Sequence, residues 1–179
     1  MKRIGWFLLL LLVACAPTRI VSTTAQPGVD FTTYKTYNFL DVTARSEAML
    51  PGPGGATDQL KQAIAAQLQR RGYQQASQPD LWVNIGVVVK DRVQTRQTDI
   101  RDAPRYIGQR NYHWQSQDVI VNQYEEGTVT VELVDAARNE GVWSGVAAST
   151  ITRNSDELEK RIYQAMELLF AKYPVPPKQ

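Results

Sequence analysis

The chain has 179 residues, of which 43% are hydrophobic and 21% charged, with one His, one Cys and a formal charge of +2. That is room for one ordinary globular domain, and the composition is too apolar for a disordered chain. It also lacks the dense positive charge on which nucleic-acid binding rests, so no nucleic-acid partner is expected. Lys2 and Arg3 account for the whole positive excess, and a chain processed after them is formally neutral.

Met1-Lys2-Arg3 is a positive leader, Ile4 to Val13 is an almost unbroken apolar run, and Ala14 is the small residue at which a signal peptidase cuts. Residues 1–14 therefore read as a signal peptide. The apolar run of ten residues is well short of the roughly 20 that a membrane-crossing helix needs. Cys15 has no second cysteine to pair with, and Leu12-Val13-Ala14-Cys15 resembles a bacterial lipobox. That resemblance implies cleavage between Ala14 and Cys15, a diacylglycerol on the Cys15 sulfur and an acyl chain on its new amino group. No other cofactor is expected. At about 0.8 kcal/mol per buried CH2, two or three chains make such an anchor effectively permanent. By the sorting rule of enterobacterial lipoproteins, Ala16 in place of Asp implies delivery to the periplasmic face of the outer membrane. Residues 15–29 then read as the lipidated Cys and a Ser/Thr/Pro tether, holding the domain on the order of 20 Å from the bilayer.

The folded part is expected over residues 30–173. Phe31 to Phe39 is rich in aromatic and β-branched residues and predicts a first strand, with Tyr37 and Phe39 on one face. Asp41 to Ala56 contains Pro51-Gly52-Pro53-Gly54-Gly55 and reads as a loop. Thr57 is placed to cap a helix, with Asp58 in its first turn and Leu60, Ala63, Ile64 and Leu68 on one face. Arg70-Arg71 are expected in its last turn and Gly72 at its stop. Leu81 to Val89 alternates as a half-buried strand. Asp91 to Asp118 fits strand extensions flanking a long hairpin. Val119 to Val134 alternates again, and a polar turn at Asp135–Gly141 leads into a last strand from Val142 to about Ile151. Asn154 and Glu157 resemble a capping box before the stripe Leu158, Ile162, Ala165, Met166, Leu169 and Phe170. Residues 174–179 form a Pro-rich tail. The order β-α-β-β-β-α predicts an α+β two-layer sandwich: a mainly antiparallel sheet of four or five strands with two helices on one face. The first two strands, joined through a helix, are parallel or non-adjacent.

The chain is similar to the periplasmic lipoproteins built on the family named domain of unknown function 4136. The similarity rests on Asp30-Phe31-Thr32-Thr33-Tyr34-Lys35-Thr36-Tyr37, on Arg71-Gly72-Tyr73 followed by Pro79-Asp80-Leu81-Trp82-Val83, on Tyr124-Glu125-Glu126-Gly127-Thr128-Val129 running into Leu133-Val134-Asp135, and on Val142-Trp143-Ser144-Gly145. It spans about residues 20 to 173 and departs at the turn Arg138-Asn139-Glu140-Gly141. What it implies is a lipid-anchored envelope domain with no catalytic assignment.

The residues themselves offer little chemistry. Imidazole catalysis would have to use the sole His, His113, and no Gly-x-Ser-x-Gly elbow surrounds Ser144. One His and no available Cys exclude the usual zinc sets, and no calcium-loop spacing occurs. Glu125-Glu126 is the one local acidic pair, but neighbours on a strand point to opposite faces. Asp80 and Asp135 sit at strand boundaries, where Asp commonly accepts from local backbone donors. Trp82 and Trp143 lie on strands and read as packing residues. The segment from Lys90 to Trp114 is the candidate binding surface. It holds Arg92, Arg96, Arg101, Arg105 and Arg110 with Tyr106, Tyr112, His113 and Trp114, a mixture suited to an envelope protein, a glycan or an anionic lipid.

The resulting expectation is a lipid-anchored lipoprotein acting as a non-catalytic scaffold, adaptor or binding module. Two alternatives stay open. A carrier of lipid or a small ligand requires an apolar cavity between sheet and helices, and a hydrolase of envelope glycan or lipid requires two carboxylates brought together by the fold.

Overall fold

The computed structural model describes residues 18–40, 55–98 and 116–178. Its elements are β1 (Thr18–Ala25), β2 (Thr36–Phe39), α1 (Gly55–Gln69), β3 (Gln74–Gln75), β4 (Leu81–Gln97), β5 (Asp118–Asp135), β6 (Glu140–Thr150) and α2 (Ser155–Phe170). The fold is mixed α+β, with one six-stranded sheet in the order β1-β6-β5-β4-β2-β3. The signal peptide and the lipobox with Ala14 and Cys15 lie outside the described residues, as does most of the loop at 41–56.

Six strands, rather than the four or five expected, arise because Thr18–Ala25 and the two-residue Gln74–Gln75 join the four that were expected. Thr18–Ala25 is not a tether: it pairs antiparallel with β6 from Thr18 opposite Ser149 to Ala25 opposite Trp143. Five of its eight residues are β-branched, which suits a strand, but as an edge strand it buries little and shows no clean alternation. The predicted first strand is shortened at its start. Asp30 ends the approach in an Asx turn, its Oδ1 accepting from the Thr32 backbone at 2.9 Å and the Thr32 hydroxyl at 2.6 Å, and pairing begins only at Thr36. Beyond that turn Tyr37 and Phe39 share a face, their rings 5.8 Å apart and nearly perpendicular. β2 runs parallel to both β3 and β4, as a strand returning through a helix must when it lies beside its successor.

The helices form where the apolar stripes predict. α1 buries Leu60, Ala63, Ile64 and Leu68, and α2 buries Ile162, Ala165, Met166, Leu169 and Phe170. α1 begins at Gly55, so Thr57 lies inside its first turn rather than capping it, and Arg70-Arg71 follow its last residue. Its stop is a Schellman motif: Gly72 N–H donates to Gln69 at 2.8 Å and Tyr73 N–H to Leu68 at 3.2 Å, with Gly72 at φ +89°. Asn154 caps α2 by accepting from Glu157 N–H at 2.9 Å. Glu157 does not reach back in the reciprocal bond of a capping box; its carboxylate instead holds Arg161 and the Thr152 hydroxyl.

The buried faces of both helices join Tyr37, Leu81, Val83, Ile85, Val131, Leu133, Trp143 and Ala147 in one core. Gly145 is required there. A Cβ on it would stand 2.7 Å from Leu169 Cδ1 and 2.8 Å from the Trp143 ring, so only hydrogen lets α2 approach the sheet this closely. The Pro-rich tail also belongs to the packed body. Val175 packs partly buried against the core, and Lys178 N–H donates to the Arg70 carbonyl at 2.8 Å.

Candidate functional site

The two ends of the sheet carry the polar and charged groups that chemistry would need. At the lower end, where β4 starts and β5 finishes, Asp80 accepts from the backbone N–H of Lys35 at 2.8 Å and of Thr36 at 2.9 Å. Those bonds, that from Lys35 above all, hold its carboxyl below the usual aspartate range. Asp135 accepts from Ala137 N–H at 2.9 Å, Arg138 N–H at 2.8 Å, Arg138 Nε at 3.0 Å and the Tyr34 hydroxyl at 2.8 Å. Burial pushes the Asp135 carboxyl up, but these donors outweigh it and the net direction is down. The turn that follows places Asn139 at φ +53°, a conformation Asn tolerates well, which closes the Arg138–Gly141 step. Both aspartates are thus ionised structural acceptors, Asp135 through both oxygens and Asp80 through Oδ2, and neither is poised as a proton donor.

Beside them, Arg71 is 4% exposed, and among the described residues no carboxylate forms an ion pair with it. Its guanidinium donates to four oxygens: Val175 O at 2.9 Å, Gln67 O at 2.8 Å, Gln67 Oε1 at 3.0 Å and Phe170 O at 2.6 Å. Two of these carbonyls belong to the C-terminal turns of α1 and α2, where the helix dipoles are negative. Burial, and then the neighbouring charge of Arg70, lower its pKa, yet a guanidinium remains charged at any ordinary pH. Around it the Tyr73 hydroxyl donates to Phe31 O at 3.0 Å and shares a 2.9 Å hydrogen bond with Tyr173. Phe31, Trp143 and Phe170 pack their rings 5.2 to 5.8 Å from Tyr173. Trp143 is a packing residue, while Trp82 is half-buried on the sheet face that points away from the core.

At the upper end, alternation sends Glu125 and Glu126 to opposite faces, and Glu126 holds Arg19 at 3.0 Å and Arg92 at 3.2 Å. Of the predicted surface, the structure places Arg92 opposite Tyr124 and Arg96 opposite Val119. Arg101, Arg105, Tyr106, Arg110, Tyr112, His113 and Trp114 lie outside the described residues, so only Arg92 and Arg96 are placed, four residues apart on β4. Beyond Glu126, β4 and β5 leave the body as a two-stranded ribbon. It exposes Val93 (55%), Ile120 (65%) and Val121 (49%). Val93 lies within the candidate surface but is not singled out there, and Ile120 and Val121 are covered by the expectation of one alternating strand over Val119–Val134. The signal that marks them is the run Val119-Ile120-Val121, where alternation fails next to a register shift at Gln94/Thr95.

Between α1, α2 and the upper parts of β5 and β6 lies an apolar cavity of about 60 Å³, lined by residues including Leu60, Val129, Ala147, Leu158 and Met166. At about 10–15 Å³ per water-sized probe position it has room for only a few atoms. Among the described residues no group of three or more His, Cys, Asp or Glu could hold a metal ion, and no helix is long and apolar enough to cross a membrane.

The family described as domain of unknown function (DUF4136) matches residues 21–175. No curated protein matches the chain. A PDZ domain protein from Parabacteroides distasonis ATCC 8503 is similar in structure at 14% identity and a TM-score of 0.55, over 91% of this chain. The chain spans only 36% of that protein's length, and at this identity the likeness shows the fold alone. Two crystal forms of a PelC dodecamer from Paraburkholderia phytofirmans align at 16% and 14% identity. They cover 87% and 90% of this chain and 98% and 99% of theirs, with TM-scores of 0.46 and 0.45.

Proposed function

The chain belongs to the DUF4136 family, and from that premise we propose that it is a lipid-anchored lipoprotein of the periplasmic face of the outer membrane, acting as a non-catalytic docking module. We read its architecture as a two-layer sandwich with both helices on one sheet face. The observation that carries the docking role is the ribbon. A two-stranded β-ribbon is marginal in water unless it packs against something, and here it presents aliphatic side chains and backbone edges that are unpaired among the described residues. Asp80 and Asp135 at the lower end are engaged in holding the chain together, which supports a role without catalysis.

Metabolic labelling with a fatty acid tests the anchor: the full chain takes up label, and Cys15→Ala takes up none and escapes the lipoprotein-specific cut. A membrane-bound, normally processed Cys15→Ala product overturns the anchor. Amide hydrogen exchange tests the docking. The edge amides of Lys90–Gln97 and Asp118–Tyr124 are expected to exchange at least about tenfold more slowly in native envelopes than in the purified chain in detergent-free solution. Equal rates overturn the docking role.

A further inference from the structure

Resting on that lipid-anchored reading, we infer that the partner of the ribbon is the lipid surface of the same membrane, with Val93 and Ile120 seated in its interface. The geometry begins at β1. Thr18 is already hydrogen-bonded into the sheet, its hydroxyl 3.2 Å from that of Ser149. Only Ala16 and Pro17 separate it from Cys15. Three residue steps span at most about 10 Å, so an acylated Cys15 holds the Thr18 end of the sheet against the bilayer rather than 20 Å away.

The register then sets which end that is. Thr18 lies opposite Ser149, Ser149 opposite Gly127, and Gly127 opposite Val89. The next residues of β4 and β5 are the ribbon. It therefore leaves the body from the same end as the anchor, and the Arg19–Glu126–Arg92 bridges tie its root to β1. Eight further residues on β4, Lys90–Gln97, extend it by about 26 Å, well past the reach of the anchor. A domain held within about 10 Å of the bilayer cannot keep a ribbon of that length clear of it unless the ribbon lies nearly flat.

Composition and backbone chemistry decide how the ribbon sits. Sheet twist of about 20–25° per strand turns β5 by about 45° from β1, so the ribbon meets the surface obliquely. Among the described residues its outer edges are unpaired above the contacts with β2 and β6, and such edges are not tolerated in hydrocarbon. That excludes spanning and confines the backbone to the headgroup layer. Val93 and Ile120 fall on one face, diagonal across the Thr95–Ile120 pair, and are available to enter the acyl boundary. Their neighbours Gln94, Asn122, Gln123 and Arg92 suit headgroups.

The test uses the full lipidated chain in vesicles of phosphatidylethanolamine and phosphatidylglycerol. With the Cys15 sulfur alkylated, a cysteine introduced by Val93→Cys, Ile120→Cys or, at the far end of the sheet, Glu140→Cys is the only free thiol and takes an environment-sensitive fluorophore. Shallow spin-labelled lipids are expected to quench the probes at 93 and 120 at least about twofold more than the probe at 140, with blue-shifted emission at the first two. Equal quenching at all three sites in anchored protein overturns the inference while leaving the anchor standing. Ribbon amides protected in native envelopes but not in these vesicles identify a protein or glycan partner and overturn it as well. Protein that carries no lipid overturns the anchored reading and this inference with it.

Discussion

The lower end of the domain and the ribbon at its upper end use the same residue types to opposite effect. Arg71 is buried below α1 and α2 and donates to four oxygens, whereas Arg92 is half-exposed and meets the Glu126 carboxylate. Asp135 is enclosed by donors from Tyr34, Ala137 and Arg138. Val83 is fully buried, while Val93, ten residues further along the same strand, is more than half exposed. The comparison teaches that charge in this protein follows structural duty at one end and availability at the other. A titratable cluster in a closed hydrogen-bond network stabilises the fold, and a sparse surface beside a membrane anchor is where a partner fits.

The sharpest way to break the comparison is at Arg71. Arg71→Ala removes the guanidinium donor from the carbonyls of Gln67, Phe170 and Val175, of which Phe170 keeps Tyr173 N–H, and is expected to cost at least about 3 kcal/mol in urea unfolding. Arg71→Lys recovers less than half of that, because an ammonium cannot reproduce the planar fork. A loss below about 1 kcal/mol would mean that the lower end is not held by this guanidinium. Next comes Gly145→Val, which drives side-chain atoms into Leu169 and Trp143 and should cost about 2 kcal/mol, or about 4–8 °C in Tm.

Asp135→Asn sharpens the electrostatic half of the contrast. The folded carboxyl titrates below its unfolded value, so its contribution is present above about pH 4 and is lost as pH falls through the folded pKa. The variant is expected to be about 1 kcal/mol less stable than the parent at pH 7, with the gap closing as pH falls through the folded carboxyl's titration. A gap that persists unchanged at low pH refutes the assignment. The smallest effect belongs to the ribbon: Val93→Ser with Ile120→Ser should change unfolding stability by less than about 0.5 kcal/mol, since neither side chain is packed. A loss comparable to that of Gly145→Val would place the ribbon in the structural half of the molecule.

Legibility in the sequence followed burial. Strands with one buried face, such as Leu81 to Val87, and helices with a full apolar stripe, such as Leu158 to Phe170, declare themselves because water exclusion selects every second or every third-to-fourth residue. The edge strand Thr18–Ala25 did not, because its identity comes from hydrogen bonds to β6 rather than from burial. Asp80 and Asp135 were legible as backbone acceptors at strand ends. Arg71 was visible only as one of two arginines near a helix stop; that it turns inward depends on α2 and the Pro-rich tail arriving from about 100 residues away.

By itself, then, the sequence determined the mixed α+β class, both helices, the long middle hairpin and the resemblance that places the chain in its family. These rest on local periodicity and on short motifs, which need no knowledge of what packs against them. Only the tertiary structure decided that the presumed tether is a strand, that the lower acids are engaged, and that the ribbon leaves the body at the Thr18 end. Each of those depends on strand register, and register is set by contacts between residues far apart in the chain, where no local pattern reaches.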